Sequence, residues 1–190
     1  MLLGVDIIKT KTACFTGHRP QKFHFGLDES HPDCVFLKQR LYEEIEKAIA
    51  DGYDYFISGM TLGVDTWAAE AVLALKKKYP HIKLEALLSC VTQADNWSGE
   101  LKEKFINLLA KCDCIDHVSL YYTSSCMHQR NRYMVDKSSL LIAVYNGAEG
   151  GTQYTIEYAQ KKGVNICRIV LEKNKRKKQN ILSSLFFDKK

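Results

Sequence analysis

A short apolar run, then a glycine turn, then an amphipathic helix occurs twice in this 190-residue chain, and that order restricts the fold more than any other feature. In the first copy Tyr55, Phe56 and Ile57 form a β-branched and aromatic run, and Gly59 and Gly63 free the backbone to turn. Val64, Trp67, Ala68, Ala71, Val72 and Leu75 then fall on one helical stripe within 63–78. In the second copy 140–145 reads LLIAVY, which suits a central parallel strand covered on both faces. Gly147, Gly150, Gly151 and Thr152 follow, ahead of a helix carrying Ile156, Tyr158 and Ala159. A helix starting on such a turn aims free N–H groups and its positive dipole end at whatever lies above the strand, which suits a phosphate. Ser58 ends the first strand, and Asp65 falls in the first turn of its helix, where a carboxylate either caps the helix or meets a ligand.

The same alternation runs along the chain. Strand candidates at 12–16, 55–58, 83–88, 115–120, 140–145 and 165–171 are separated by helix candidates at 35–50, 63–78, 98–112, 125–137 and 152–162. This predicts a single α/β domain with a predominantly parallel sheet and helices on both faces, because right-handed crossovers leave few other topologies. Glycine turns on neighbouring strands then open on one crevice above the carboxyl ends of the sheet. The longest irregular piece, 17–34, leaves the first strand through Gly17, His18, Arg19 and Pro20 and also carries His24 and His31. Arg19 suits a forked grip on phosphate and His18 a contact to ribose or phosphate; the competing assignments are a surface ion pair and a turn cap. Arg130 and Arg132 are two residues apart, so a helix points only one of them inward. Trp97 and Tyr154 are candidate stacking rings for a base, or core residues.

Composition is that of a globular protein, with 46% hydrophobic and 26% charged residues. No apolar run approaches the roughly 20 residues of a membrane span. The start, MLLGVDIIKTK, is interrupted too early by Asp6 for a secretory signal, so a cytoplasmic location is expected. The seven cysteines lack a metal-ligand frame; no metal site is expected, and they read as structural thiols. Residues 172–190 hold seven of the 27 Lys and Arg and two of the 22 Asp and Glu, leaving 20 of each in 1–171. A domain over 1–171 and a basic tail over 172–190 follow, and the balanced body charge argues against a nucleic-acid groove. The tail suits a solvated end, a nucleic-acid arm, or a docking segment using Ile181, Leu182, Leu185, Phe186 and Phe187.

Taken together, TGHRP, SGMTLGVDTWAAE, RNRYMVD and EGGTQYTIEYA resemble the YpsA family of the SLOG superfamily, over the chain up to about Leu171. The resemblance implies a Rossmann-like domain that binds a nucleotide or nucleotide-derived ligand, ADP-ribose-like, with no cofactor required. It further implies a sensing or regulatory role in a bacterial cytoplasm. The implied ligand-binding set is Gly17, His18, Arg19, Ser58, Gly59, Gly63, Asp65, Trp97, Gly150, Gly151 and Thr152.

Two branches of that superfamily supply alternatives. LOG phosphoribohydrolases carry a Met-His-x-Arg-Lys helix and a Pro-Gly-Gly-x-Gly-Thr-x-x-Glu loop. Met127, His128 and Arg130 match the first, with Asn131 for Lys; Gly150, Gly151 and Glu157 keep the second's spacing, while Glu149, Gln153 and Tyr154 replace Pro, Gly and Thr. In a hydrolase of nucleoside monophosphates, Arg130 would orient the substrate and Glu157 would stabilise oxocarbenium charge or activate water. Related hydrolases that pair also imply a homodimer. The DprA family, which binds single-stranded DNA, has Ser-Gly-x-Ala-x-Gly-Ile-Asp-x-x-Ala-His. Ser58, Gly59, Gly63, Asp65 and Ala68 match, Thr61 and Val64 differ, and Ala69 stands for His. DNA binding would also need a cationic groove with stacking aromatics.

Overall fold

Every apolar run of strand length forms a strand, and every helical stripe forms a helix, in a computed structural model that describes residues 11–170. The strands are β1 Thr12–Gly17, β2 Tyr55–Ser58, β3 Lys83–Leu88, β4 Cys114–His117, β5 Leu140–Val144 and β6 Asn165–Ile169. The helices are α1 Pro32–Ala50, α2 Val64–Lys76, α3 Gly99–Leu109, α4 Cys126–Asp136 and α5 Gly151–Lys161. All strand pairs are parallel, in the order β4-β3-β2-β1-β5-β6. Succession runs outward from β1 to β4 and then restarts on the other side with β5. Loops leaving β1 and β5 therefore diverge, and the crevice of a doubly wound sheet opens between them.

Successive strand residues point to opposite faces, and here both faces are covered. Phe15, Phe56 and Leu84 face α1, α2 and α3, where Leu37, Leu41, Trp67, Val72 and Phe105 meet them. Cys14, Ile57, Leu87 and Leu141 face α4 and α5, meeting Met134, Val135, Ile156 and Ala159. Each of the buried Val, Leu, Ile, Phe and Met side chains among them contributes about 1.5–3 kcal/mol by leaving water. All seven cysteines are free, and burial pushes the Cys14 thiol up to about 12. No helix among the described residues is long and apolar enough to cross a membrane.

Most element boundaries differ from expectation by one to three residues, and two of the larger shifts have a local cause. Helix α1 begins at Pro32 rather than 35, because the His31 imidazole accepts the Asp33 N–H at 3.1 Å and Pro32 needs no acceptor at the first helical position. Strand β4 ends at His117 rather than 120. Ser119 donates to the Tyr121 carbonyl at 2.7 Å, and Leu120, Tyr121 and Tyr122 turn into solvent. The basic tail, 172–190, lies outside the described residues.

Asp113, between α3 and β4, gives the fold an acid-sensitive tie. Its partial burial is outweighed by Lys76 at 2.6 Å, the Leu84 N–H at 2.9 Å and Lys83 at 3.2 Å, which hold the carboxyl at about 2. A depressed folded value means stabilisation present above the ordinary carboxylate range and lost as pH falls toward 2. Because Asp113 and its lysines are screened by solvent, its loss amounts to about 1 kcal/mol at most. Urea unfolding between pH 5 and pH 2 is expected to show a shallower decline in Asp113→Asn than in the wild type; parallel curves would assign the decline to other groups.

Candidate functional site

Strand β2 ends at Ser58, and its polar groups organise the turn that follows. The buried Ser58 hydroxyl accepts the Met60 N–H at 3.2 Å and donates to the Asp65 carbonyl at 2.8 Å. Met60 sits at φ 56°, a left-handed conformation uncommon for a residue with a Cβ. Gln93 holds it there, donating to the Gly59 and Met60 carbonyls at 3.1 and 3.2 Å. Asp65, in the first turn of α2, accepts both the N–H and the hydroxyl of Thr61 and meets Arg130 Nη1 at 3.2 Å. The Arg130 and Asp65 side chains are 4% and 7% exposed, so this ion pair is buried.

Arg130 comes from α4, on the opposite face of the sheet from α2, and passes over the end of β2. A Cβ at Gly59 would lie 1.1 Å from its Nη1 and 2.2 Å from its Cζ. Gly59 therefore makes room for arginine rather than for a ligand. The positive end of α2, read from sequence as a phosphate site, already carries the chain's own Asp65 carboxylate in its first turn, turned back onto Thr61 and paired with Arg130.

The start of α5 is open instead. Its N-cap Gly150 lies at φ 138°, which favours glycine, with no side-chain cap and no acidic residue in the first turn. The N–H groups of Gly151, Thr152 and Gln153 precede the first possible intrahelical acceptor. They adjoin a hollow of about 350 Å³ lined by Thr16, Gly17, His18 and Arg19 from the β1 exit and by Glu149, Gly150, Gly151 and Thr152 from the β5 exit. The hollow thus lies at the switch point of the sheet. His18 Nε2 and Asn146 Oδ1 share a hydrogen bond of 2.7 Å that ties the two exits together. Gly17 permits contact with α2, since a Cβ there would lie 2.4 Å from Val64 Cγ2.

Charge at the hollow favours an anion. Arg19 and Lys22 line it and make no ion pair among the described residues, while Asp65 is neutralised by Arg130 and Glu149 is the remaining acid. Arg130 Nε is buried and lacks a hydrogen-bond partner among the described residues. A second lobe of about 780 Å³ shares Arg19, Thr61 and Met127 with the first and extends past Gln93, Asn96, Trp97 and Tyr122. Arg19 stands where the lobes meet.

The sequence-predicted residues divide by where they lie. Gly17, His18, Arg19, Asp65, Arg130, Gly150, Gly151 and Thr152 line the first lobe. Trp97 lines the second, its ring lying edge-on to Phe105 at 5.0 Å. Ser58 and Gly59 line neither lobe, and Gly63 lines a separate small hollow beside Pro20, Thr66 and Trp67. Glu157 is exposed, accepts from Gln153 at 2.8 Å and does not line the hollow, because Thr152, Thr155, Ile156 and Ala159 take the inward face of α5. With Arg130 locked to Asp65 as well, the two groups expected for glycosidic cleavage are not assembled. Tyr154 is occupied by Arg132 and His128, and Arg132 lies outside as the helical spacing requires. Gln93, Asn146 and Lys22 carried no sequence signal, since their roles arise only from contacts between distant turns.

Comparison with known proteins agrees with this geometry. The sequence model of the YpsA family, described as the YspA SLOG family, matches residues 13–173. The UPF0398 protein of Bacillus cereus strain G9842 is 30% identical over 157 residues, covering 80% of this chain and 84% of the relative. That of Bacillus thuringiensis strain Al Hakam is 29% identical with the same coverage. DNA processing protein A from Helicobacter pylori, solved for its single-stranded DNA binding mode, has a similar fold, with a TM-score of 0.58 at 15% identity over 93% of this chain and 73% of that one. DprA from Streptococcus pneumoniae gives a TM-score of 0.59 at 15% identity, over 94% of this chain and 58% of that one. A family match spanning nearly all described residues settles the membership: the chain belongs to the YpsA family of SLOG proteins and carries a Rossmann-like α/β fold.

Proposed function

We propose that the chain binds a nucleotide or nucleotide-derived ligand, ADP-ribose-like in extent, at the carboxyl ends of β1 and β5, in a sensing or regulatory role in the cytoplasm. The observation that carries this reading is the open N-terminus of α5 facing a hollow rimmed by Arg19 and Lys22, which make no ion pair among the described residues. One phosphate would accept from the Gly151, Thr152 and Gln153 amides, favoured by the helix dipole. Arg19 would grip a second through its forked guanidinium, and the larger lobe beside Trp97 and Tyr122 would take the nucleoside. Two lobes joined at an arginine suit a diphosphate-linked ligand better than a monophosphate.

Thermal shift against AMP, ADP and ADP-ribose tests this. At a hundredfold excess over Kd, a ligand stabilises by about 2.7 kcal/mol. For a chain of this size that raises Tm by about 5–10 °C. ADP-ribose is expected to act at the lowest concentration, and Arg19→Ala to weaken it about tenfold or more, as loss of a charge-assisted hydrogen bond should. Absence of any shift, or unchanged affinity in Arg19→Ala, would refute the assignment.

A second reading, single-stranded DNA binding, is favoured by one observation. Tyr121 and Tyr122 are 75% and 68% exposed beside the larger lobe, as base-stacking rings would be. Fluorescence anisotropy with oligo-dT separates the readings: steeply salt-dependent binding with no nucleotide effect on Tm would select DNA.

A further inference from the structure

The irregular connection between β1 and α1 folds back so that His24 meets the first turn of α1. His24 Nε2 lies 2.9 Å from Asp33 Oδ2, and donor atoms of His24, His31 and Asp33 all fall within 4.8 Å of one another. Both imidazoles are held by an aromatic platform. His31 stacks on Phe25 at 5.6 Å and 22°, His24 lies edge-on to the same ring at 5.3 Å, and Phe25 is itself buried against Phe23 and Trp67. The three side chains are thus oriented before any ion arrives.

We propose that His24, His31 and Asp33 form a site for a zinc-like divalent transition-metal ion, with water completing the coordination. Two imidazole nitrogens and one carboxylate oxygen are a donor set that zinc accepts and that magnesium and calcium, which prefer oxygen, do not. The outer side is open to water, since the His24 side chain is 64% exposed. The positive end of α1 opposes a cation, and two carboxylates offset it. Asp33 is one; the other is Asp28, which is held in place by the Ser30 N–H and hydroxyl at 2.9 and 2.6 Å. The His31 Nδ1 lone pair now accepts the Asp33 N–H, so an ion on that nitrogen would compete with the helix cap for it. A bound ion would clip residue 24 to residues 31 and 33, closing the loop 25–30 that follows Arg19 and Lys22. The site does not depend on what the hollow binds.

Zinc titrated into the chelator-treated full chain tests the proposal by calorimetry and thermal unfolding. One equivalent is expected to bind, with Tm rising by about 5–10 °C at a hundredfold excess over Kd and no response to magnesium. Cobalt should give visible d–d bands without the near-ultraviolet band of a thiolate ligand. His24→Ala removes an exposed ligand without touching the core, and His31→Asn keeps an N-capping side chain while removing the imidazole. Each is expected to lower zinc affinity at least tenfold. No zinc response in the wild type, a thiolate band, or equal affinity in His24→Ala would overturn the assignment, the last two moving the ion to a cysteine such as the exposed Cys114.

Discussion

Arg130→Met is expected to destabilise the fold by about 3–5 kcal/mol, the range for breaking one side of a buried ion pair. Methionine restores much of the arginine stem's volume, so the loss reports charge more than cavity. What remains is the Asp65 carboxylate, 7% exposed at the side chain and still accepting from Thr61 but without its cation. At roughly 2–4 °C per kcal/mol for a chain of this length, Tm should fall by about 6–20 °C. Replacing both partners, as Arg130→Met with Asp65→Leu, should recover most of the loss, because two desolvated charges are then gone together. A single-variant loss under about 1 kcal/mol would place the pair in the class of solvent-screened surface bridges.

Gly59→Ala is expected to cost nearly as much, although it adds one methyl group. That carbon would sit 1.1 Å from Arg130 Nη1 and 2.8 Å from Asp65 Oδ2. Arginine could swing aside only by giving up Asp65, so the variant should lose about 3 kcal/mol or more. The decisive comparison is a double-mutant cycle in chemical unfolding. Once Arg130 is alanine, only the 2.8 Å approach to Asp65 Oδ2 remains, which a small rotation of the carboxylate relieves, and the cost of Gly59→Ala should fall to about 1 kcal/mol, a coupling of about 2 kcal/mol or more. Additive losses would show that Gly59 serves something other than arginine passage.

Local regularities made the architecture readable in the sequence. The all-apolar run ending at Val144 marked a covered parallel strand, the i, i+3, i+4 stripe from Val64 to Leu75 marked α2, and alternation of the two kinds gave the parallel sheet. The two glycine turns looked alike because each has the same local chemistry. What separates them is tertiary: Arg130, 65 residues from Asp65, closes one turn, and no such partner closes the other. The same limit hid Gln93 behind Met60 and the His18–Asn146 tie. Glu157 shows the converse, a residue at the spacing of a catalytic motif that helix phase turns outward. His31 was missed as a cap because imidazole seldom fills that role, which moved the predicted start of α1 by three residues.

The central claim is that the N-terminus of α5, and not that of α2, receives an anionic nucleotide-like ligand. Backbone amide resonances followed while ADP-ribose is titrated into isotopically labelled protein test it most directly. The largest shifts are expected at Gly151, Thr152 and Gln153, with Arg19 moving at the same ligand concentration and the Val64 and Asp65 amides nearly still. Largest shifts at the first turn of α2, or none at any ligand concentration, would contradict the account.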